Sequence, residues 1–370
     1  MSSMRTFFAR ATTTPASRRF GVTWGAISSV LMWAVALPRF GAYEEPPMEH
    51  LYSYVTAGGS TLRGLTVDMR EYLTATEHFA GLGPAPSLGP FTQRVAAPWL
   101  AGRLPWDAPI SLNVVVMALL TIGLVALVAT VLELKVSRCG LVVAAVGYAV
   151  SFPVFYWGSF NYVDGAVVGL LACVLLFLVL ERPFIAVGLV FVSMLFKESG
   201  LVGAFVVIAW VVAQASTDFP RRQKVVWSAT ALASAVSGFV VARLVGPEAT
   251  EVYNPWLITP AESFNYLGAN IGRAGPMAQV LLTGLLPLVL VVAAFRSSRR
   301  SELDAPRPVV WACVTGIAVG ALLNVQALLS AQWDGRTLWT VYPFVFALGA
   351  VALTRSVAAR TFGTRRTSSL

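Results

Sequence analysis

Apolar runs separated by short polar stretches recur along the whole chain, near residues 21–41, 111–133, 139–158, 164–180, 183–196, 200–214, 225–245, 277–295, 309–331 and 338–354. Most are close to the ~20 residues that an α-helix needs to cross a hydrocarbon core. The pattern predicts an all-α fold: a polytopic membrane helical bundle of about ten transmembrane spans, with amphipathic helices in its outer loops. No stretch is left for a separate soluble domain, so residues 1–370 form a single transmembrane domain. Its parts are a cytoplasmic N-tail 1–20, outer loops 42–110 and 246–276, and a cytoplasmic C-tail 355–370.

The segment Phe184 to Val212 needs a choice. Lys197 and Glu198 divide two runs that are each short for a span. As one span it would place two charges at the bilayer centre and send every later basic loop to the other side. Two tilted or partly re-entrant helices are the consistent reading. The first run also follows Arg18 and Arg19 and reaches Ala34-Val35-Ala36, a pattern like a signal-peptide cleavage site. We read it as an uncleaved first span.

Polar patterning adds detail in the first outer loop. Met69, Tyr72, Leu73, Thr76, Phe79 and Ala80 follow helical spacing, which predicts an amphipathic helix lying on the membrane. Asp68 opens it, and Glu71 three residues later makes a capping box the local expectation. The turn-rich stretch Gly81 to Pro90 leads into Phe91-Thr92-Gln93-Arg94-Val95-Ala96-Ala97-Pro98.

Composition agrees with the periodicity: 56% of residues are hydrophobic and 12% charged, with a mean hydropathy of +0.70. The net charge of +9 is a sign of orientation, not of nucleic-acid binding. With the N-terminus inside, the clusters Arg221-Arg222-Lys224, Arg296-Arg299-Arg300 and the tail arginines all fall on the cytoplasmic side. The expected location is the cytoplasmic (inner) membrane, multi-pass, with both termini cytoplasmic. Cys139, Cys173 and Cys313 lie in or at the ends of apolar runs and read as packing residues. His50 and His78 have no zinc-type spacing with other ligand residues. No cofactor is required, and a divalent metal stays open but unsupported.

The spans hold almost no ionisable residues, whereas pathways for ions or protons are usually lined by them. Acids and bases gather instead at the outer helix ends and in the outer loops, so any polar reaction centre belongs at the outer face. Asp68 is either a helix cap or a carboxylate able to take a proton from a hydroxyl. Arg94 is either a snorkelling side chain or a phosphate ligand with a planar fork of donors. Lys197 beside Glu198, and Arg336 beside Asp334, are either local ion pairs or partners of Arg94 around a phosphate. Asp164, in Asn161-Tyr162-Val163-Asp164-Gly165, is a helix cap or a site wall. Tyr253 and Trp256, with Phe264, Tyr266, Glu251 and Glu262, form an interfacial belt or a platform for a sugar ring.

In order and placement these features resemble the C-type superfamily of integral-membrane glycosyltransferases, which use polyprenyl-phosphate-linked sugars. The likeness rests on Val67-Asp68-Met69-Arg70-Glu71-Tyr72 after the first span, on Phe91 to Pro98, on Val163-Asp164, on Lys197-Glu198 at the end of a hydrophobic hairpin, and on Arg336 to Pro343 before the last span. The first loop lacks the paired acidic pattern of many members, which leaves metal dependence and acceptor open. The resemblance implies Asp68 as catalytic base, with Glu71, Arg94, Asp164, Lys197, Glu198, Tyr253, Trp256 and Arg336 contacting substrate. The partners it implies are a polyprenyl-phosphate lipid donor, a glycan or lipid acceptor and membrane lipid. The activity expected is sugar transfer to an acceptor hydroxyl by inverting single displacement. A transporter or lipid flippase, and a non-catalytic subunit of an envelope complex, are the alternatives. Substrate flux without donor lipid would mark the first, and indifference to Asp68 and Arg94 substitutions the second.

Overall fold

The computed structural model describes residues 15–40, 52–55, 61–215, 219–251, 259–298, 305–330 and 335–366. These are helical apart from one β-hairpin and a few turns. Seven helices are long and apolar enough to cross a membrane, and three shorter apolar helices pack among them.

Helix α1 (Arg18–Ala36) starts where the Ser17 side chain accepts the Phe20 N–H and ends before Pro38. Its inner face is made of Gly21, Gly25, Ser28, Met32 and Ala36, a run of mostly small residues four or so apart that lets it lie close on the bundle. A hairpin of β1 (Tyr52–Val55) and β2 (Thr61–Leu65), antiparallel with one irregularity in register, follows in the first long loop. This pair of strands was not among the elements expected there.

Next come α2 (Val67–Phe79), the short α3 (Gly89–Thr92) and α4 (Ala96–Ala101), and the long α5 (Ala108–Glu133). The expected apolar stripe of α2 exists, but Met69, Tyr72, Leu73 and Thr76 are buried against α4 and α5 and so pack on protein. The cap also differs from expectation. Thr66, not Asp68, caps α2: its hydroxyl accepts the Met69 N–H, and the Met69 sulfur accepts the Thr66 N–H.

The core is the pair of α5 with α8 (Asp164–Val179), the most extensively packed helices in the chain. Glycine makes this possible, since a Cβ on Gly123 would lie 2.5 Å from the Gly169 Cα. Between them in sequence lie α6 (Arg138–Ala149) and the short α7 (Phe152–Tyr156). Helices α9 (Pro183–Phe196) and α10 (Leu201–Ala213) are separated by an extended Lys197 and a turn of 3-10 helix at Glu198–Gly200. They fold back on each other, so that a Cβ on Gly203 would meet Val190 at 3.1 Å. In a single helix those residues would stand about 20 Å apart, so one continuous span is excluded.

The remaining elements are α11 (Arg221–Val245), α12 (Pro260–Ile271), α13 (Ala274–Ser298, with Pro287 inside it), α14 (Arg307–Ser330), a 3-10 segment Arg336–Val341 and α15 (Tyr342–Arg366). The first part of α15 is core: Tyr342, Phe344, Phe346 and Ala347 are fully or almost fully buried. By contrast α1, α11, α13 and α14 expose large apolar side chains such as Val22, Val236, Leu285 and Leu322. Water would not tolerate so broad an apolar surface, and lipid would.

Contacts sort the helix ends into two faces. At one, Ala16 donates to Val136, Ser137 meets Thr354, and the Lys224 ammonium reaches the carbonyls of Val212 and Gln214 at the end of α10. This is the arginine-rich face. At the other, the turn at Ser87 to Gly89 is tied to Thr250 and Glu251 by backbone hydrogen bonds, and Asn270 donates to Leu328. This is the loop-rich face. There the two long loops meet.

Candidate functional site

Six ionisable residues from distant parts of the chain gather at the loop-rich face. Each cation is paired with an acid that is not its neighbour in sequence. Arg336 Nη1 donates to Asp68 Oδ2 at 2.7 Å. Lys197 Nζ donates to Asp164 Oδ1 at 2.6 Å. Arg94 Nε and Nη2 each lie 3.1 Å from Glu198 Oε2, and Arg94 Nη1 donates to the Tyr72 hydroxyl at 2.7 Å. The expected local pairing of Lys197 with Glu198 is therefore corrected: adjacent side chains point apart across the extended residue and turn to different partners.

Each member is held by backbone chemistry. Because Thr66 caps α2, the carboxylate of Asp68 in the first turn is released from capping and faces Arg336. Arg336 follows Gly335, whose φ of +83° is open to glycine and strained for other residues. The Arg336 guanidinium lies 4.2 Å from the centre of the Tyr162 ring, and the Tyr162 hydroxyl is 3.0 Å from the Thr66 hydroxyl. The cap, the ring and the ion pair thus form one connected unit.

Asp164 is the first residue of α8 but caps nothing; Val163 occupies the cap position. It is 2% exposed, and its Oδ2 is buried with no hydrogen-bond partner among the described residues. The turn that delivers it is fixed by Asn113 of α5, which accepts the Asn161 N–H at 2.8 Å and donates to the Ser159 carbonyl at 3.1 Å. Sequence reasoning missed Asn113, Thr66 and Tyr162 as members of the site's frame. A lone Asn inside the apolar run of α5 is the signal that could have found the first, since buried amides in such runs need partners.

Glu71 has a different place. Its Oε2 accepts the N–H groups of Ser87 and Leu88, and its Oε1 takes Arg70. It is 2% exposed and clamps the turn that the second loop joins, so its geometry is that of a loop anchor and not of a substrate contact. Tyr253 and Trp256 lie outside the described residues.

The electrostatics are those of a closed set. Lys197, Arg94 and Arg336 keep 12–14% side-chain exposure, while Asp68 and Glu198 keep 26% and 27%. The acids Asp68 and Glu198 therefore form the open lip and the cations lie behind them. Burial raises the pKa of Asp68, but the charges of Arg336, Lys197 and Arg94 outweigh it and hold the carboxyl below the ordinary range. Burial pushes the Tyr72 phenol up, so it stays protonated beside Arg94.

Ion pairs in apolar surroundings recover their desolvation cost only with good geometry, and apolar residues often serve stability equally well. Three of them meet at one end of the helix bundle. Among the described residues no group of three or more His, Cys, Asp or Glu is placed to hold a metal ion. Comparison with family models, curated proteins and solved structures found no match.

Proposed function

We propose that this chain is an integral-membrane glycosyltransferase that moves a sugar from a polyprenyl-phosphate donor to an acceptor hydroxyl at the outer face of the cytoplasmic membrane. In this reading the seven long helices together with α8, α9 and α10 make ten crossings, and the loop-rich face is the outer one. Basic residues at the opposite face support that orientation. The observation that carries the proposal is the meeting of one partly open carboxylate, Asp68, with Arg336, Lys197 and Arg94 at a helix-bundle end beside lipid.

The chemistry suits that inventory. The acceptor hydroxyl gives its proton to Asp68 as its oxygen attacks the anomeric carbon, and the bond from that carbon to the phosphate oxygen breaks. The configuration inverts in the single displacement. The lipid phosphate leaves as a weak base, so no acid need protonate it, unlike glycoside hydrolysis with its two carboxyl groups. Donor binding has a specific requirement here. The phosphate must take over Arg336, and to a lesser extent Lys197 and Arg94, from their carboxylates. Loss of Arg336 to the phosphate frees Asp68 and restores its basicity at the moment it is needed.

The test is transfer from radiolabelled polyprenyl-phosphate hexoses by membranes holding the full chain, compared with Asp68→Asn. We expect product from the wild type and a loss of roughly 10²- to 10⁴-fold in the variant, with unchanged expression, the range of a removed general base. Full activity of Asp68→Asn would sink the assignment of the base. Lipid movement across the bilayer without donor sugar would favour a flippase.

A further inference from the structure

Two buried groups in the charged cluster lack partners of opposite kind. The Tyr72 hydroxyl accepts from Arg94 Nη1 at 2.7 Å, and because arginine only donates, the hydrogen of the phenol is left to donate elsewhere. Among the described residues it meets no acceptor, and Tyr72 is fully buried. Asp164 is the complement. Its Oδ1 takes Lys197 at 2.6 Å, while its buried Oδ2 accepts from no described residue.

Both groups belong to one arc of contacts. Tyr72 is bonded to Arg94 and Arg94 to Glu198, while Lys197, next to Glu198 in sequence, is bonded to Asp164. Tyr72 also stands four residues beyond Asp68 on the same face of α2, about 6 Å along its axis. Burial raises the pKa of the phenol, and the charges of Asp164, Asp68 and Glu198 raise it further against the opposing pull of Arg94. The hydroxyl therefore keeps its proton and stands within reach of the acids' charge.

We propose that Tyr72 and Asp164 together hold a hydroxyl group of the sugar carried by the lipid phosphate. The inference rests on the transferase reading of the Asp68 site, and it supplies what tells a sugar phosphate from other phosphates. A hydroxyl suits both partners, since it accepts from the phenol and donates to the carboxylate. A phosphate oxygen only accepts, so it would satisfy Tyr72 and be repelled by Asp164. Depth says which hydroxyl is held. The acceptor hydroxyl meets Asp68 at the open lip, where that side chain keeps 26% exposure. Tyr72 and Asp164 lie behind it, so the hydroxyl between them belongs to the sugar joined to the phosphate.

The exchange of partners gives this contact a reason. When the donor phosphate draws Lys197 away, Asp164 becomes a buried carboxylate without compensation. A sugar hydroxyl donating to Oδ2 offsets part of that loss, and a phosphate ester without hydroxyls does not. Buried groups arranged to bond a hydroxyl discriminate strongly against ligands that lack it.

The experiment is calorimetric titration of the detergent-solubilised full chain with mannose 1-phosphate, glucose 1-phosphate and galactose 1-phosphate. Cyclohexyl phosphate, of the same charge and ring size but without hydroxyls, is the control. We expect at least one hexose phosphate to bind roughly tenfold or more tighter than the control. That ratio should fall to about twofold or less in Tyr72→Phe, which removes one oxygen and keeps the ring. It should fall likewise in the double variant Lys197→Met with Asp164→Leu, which reads the other partner if Tyr72→Phe is unstable. Equal affinities in the wild type, or a preference that survives both changes, would overturn the inference and leave the gap to water. A preference without transfer from any polyprenyl-phosphate hexose would keep the hydroxyl site and remove the transferase reading. Transfer without a preference would do the reverse, and binding of none of the four phosphates would remove both.

Discussion

The two faces of the bundle use the same side chains in opposite ways. At the arginine-rich face Arg18, Arg19, Arg221, Arg222 and Arg307 are exposed, and Lys224 does no more than close the last turn of α10. At the loop-rich face Arg94, Lys197 and Arg336 are largely buried and bound to acids 104, 33 and 268 residues away. The first set is charge kept in water, of the kind that biases the orientation of membrane proteins in general. The second set is charge drawn out of water, which needs partners and good geometry to persist. Burial and cross-chain pairing, more than the number of basic residues, distinguish a site from a topology signal.

The sharpest way to break that contrast is Lys197→Met. Removing one partner of a buried pair leaves Asp164 uncompensated at 2% exposure, and losses of about 3–5 kcal/mol are expected for such breaks. Thermal unfolding in detergent should show it. The double variant Lys197→Met with Asp164→Leu should regain most of that stability, because matched apolar groups replace buried pairs well. Sugar transfer should stay low in both. Full activity of the stable double variant would mean that the pair is structural only.

A somewhat smaller effect is expected for Arg336→Ala in transfer. As the principal cation beside Asp68, it should cost roughly 10²- to 10³-fold in kcat/KM, the usual loss for one donor to a developing negative charge. Arg336→Lys keeps the charge but loses the fork and the stacking on Tyr162, so it should recover only part of the rate. If Arg336→Lys equalled the wild type, simple charge would be all the site requires there.

Much of this organisation was readable from residue order, and the gaps have physical causes. Ten apolar segments and the break at Lys197-Glu198 follow from run length and from the cost of charge in hydrocarbon. The six ionisable members stood out because they lie at segment ends or in the first outer loop. Their pairing did not, since it is set by how α2, α8, the α9–α10 hairpin and the 3-10 turn at Arg336 meet in space. The cap was ambiguous for a local reason: Thr66 and Asp68 are both capping residues two positions apart, and the Glu71 that favoured Asp68 was needed by the Ser87 turn. The hairpin left a trace in the aromatic and β-branched runs around Gly58-Gly59-Ser60, a turn signal easily passed over beside long helices.

A change of pH probes the exchange of partners more gently. In the free protein Asp68 is raised by burial and lowered further by Arg336, Lys197 and Arg94, so its pKa lies below the ordinary carboxylate value. Its pairing with Arg336 is therefore complete above the unfolded-state pKa and is lost as pH falls through the depressed folded-state value. The acid limb of kcat/KM, which reports the free protein, should lie below the ordinary carboxylate range. A bound phosphate shares Arg336 and adds negative charge, which raises the carboxyl, so the acid limb of kcat should lie at higher pH. Coincident limbs would show that Asp68 keeps Arg336 throughout, and would remove partner exchange from the mechanism.

The smallest expected effect tests the other side of the comparison. Arg221→Gln with Arg222→Gln removes two exposed charges that touch nothing in the site, so transfer per correctly inserted molecule should change less than twofold. What should respond is insertion. Positive residues near span ends bias orientation, and the first turn of α11, just past the α10–α11 loop, carries one of the densest clusters. Protease accessibility or cysteine labelling of that loop in intact cells would report a fraction of inverted molecules. A large loss of specific activity in molecules of normal orientation would mean that charge at this face also reaches the chemistry. The two faces would then be electrostatically linked across some 30 Å, which salt solution with a Debye length of about 8 Å should not allow for charges as exposed as these.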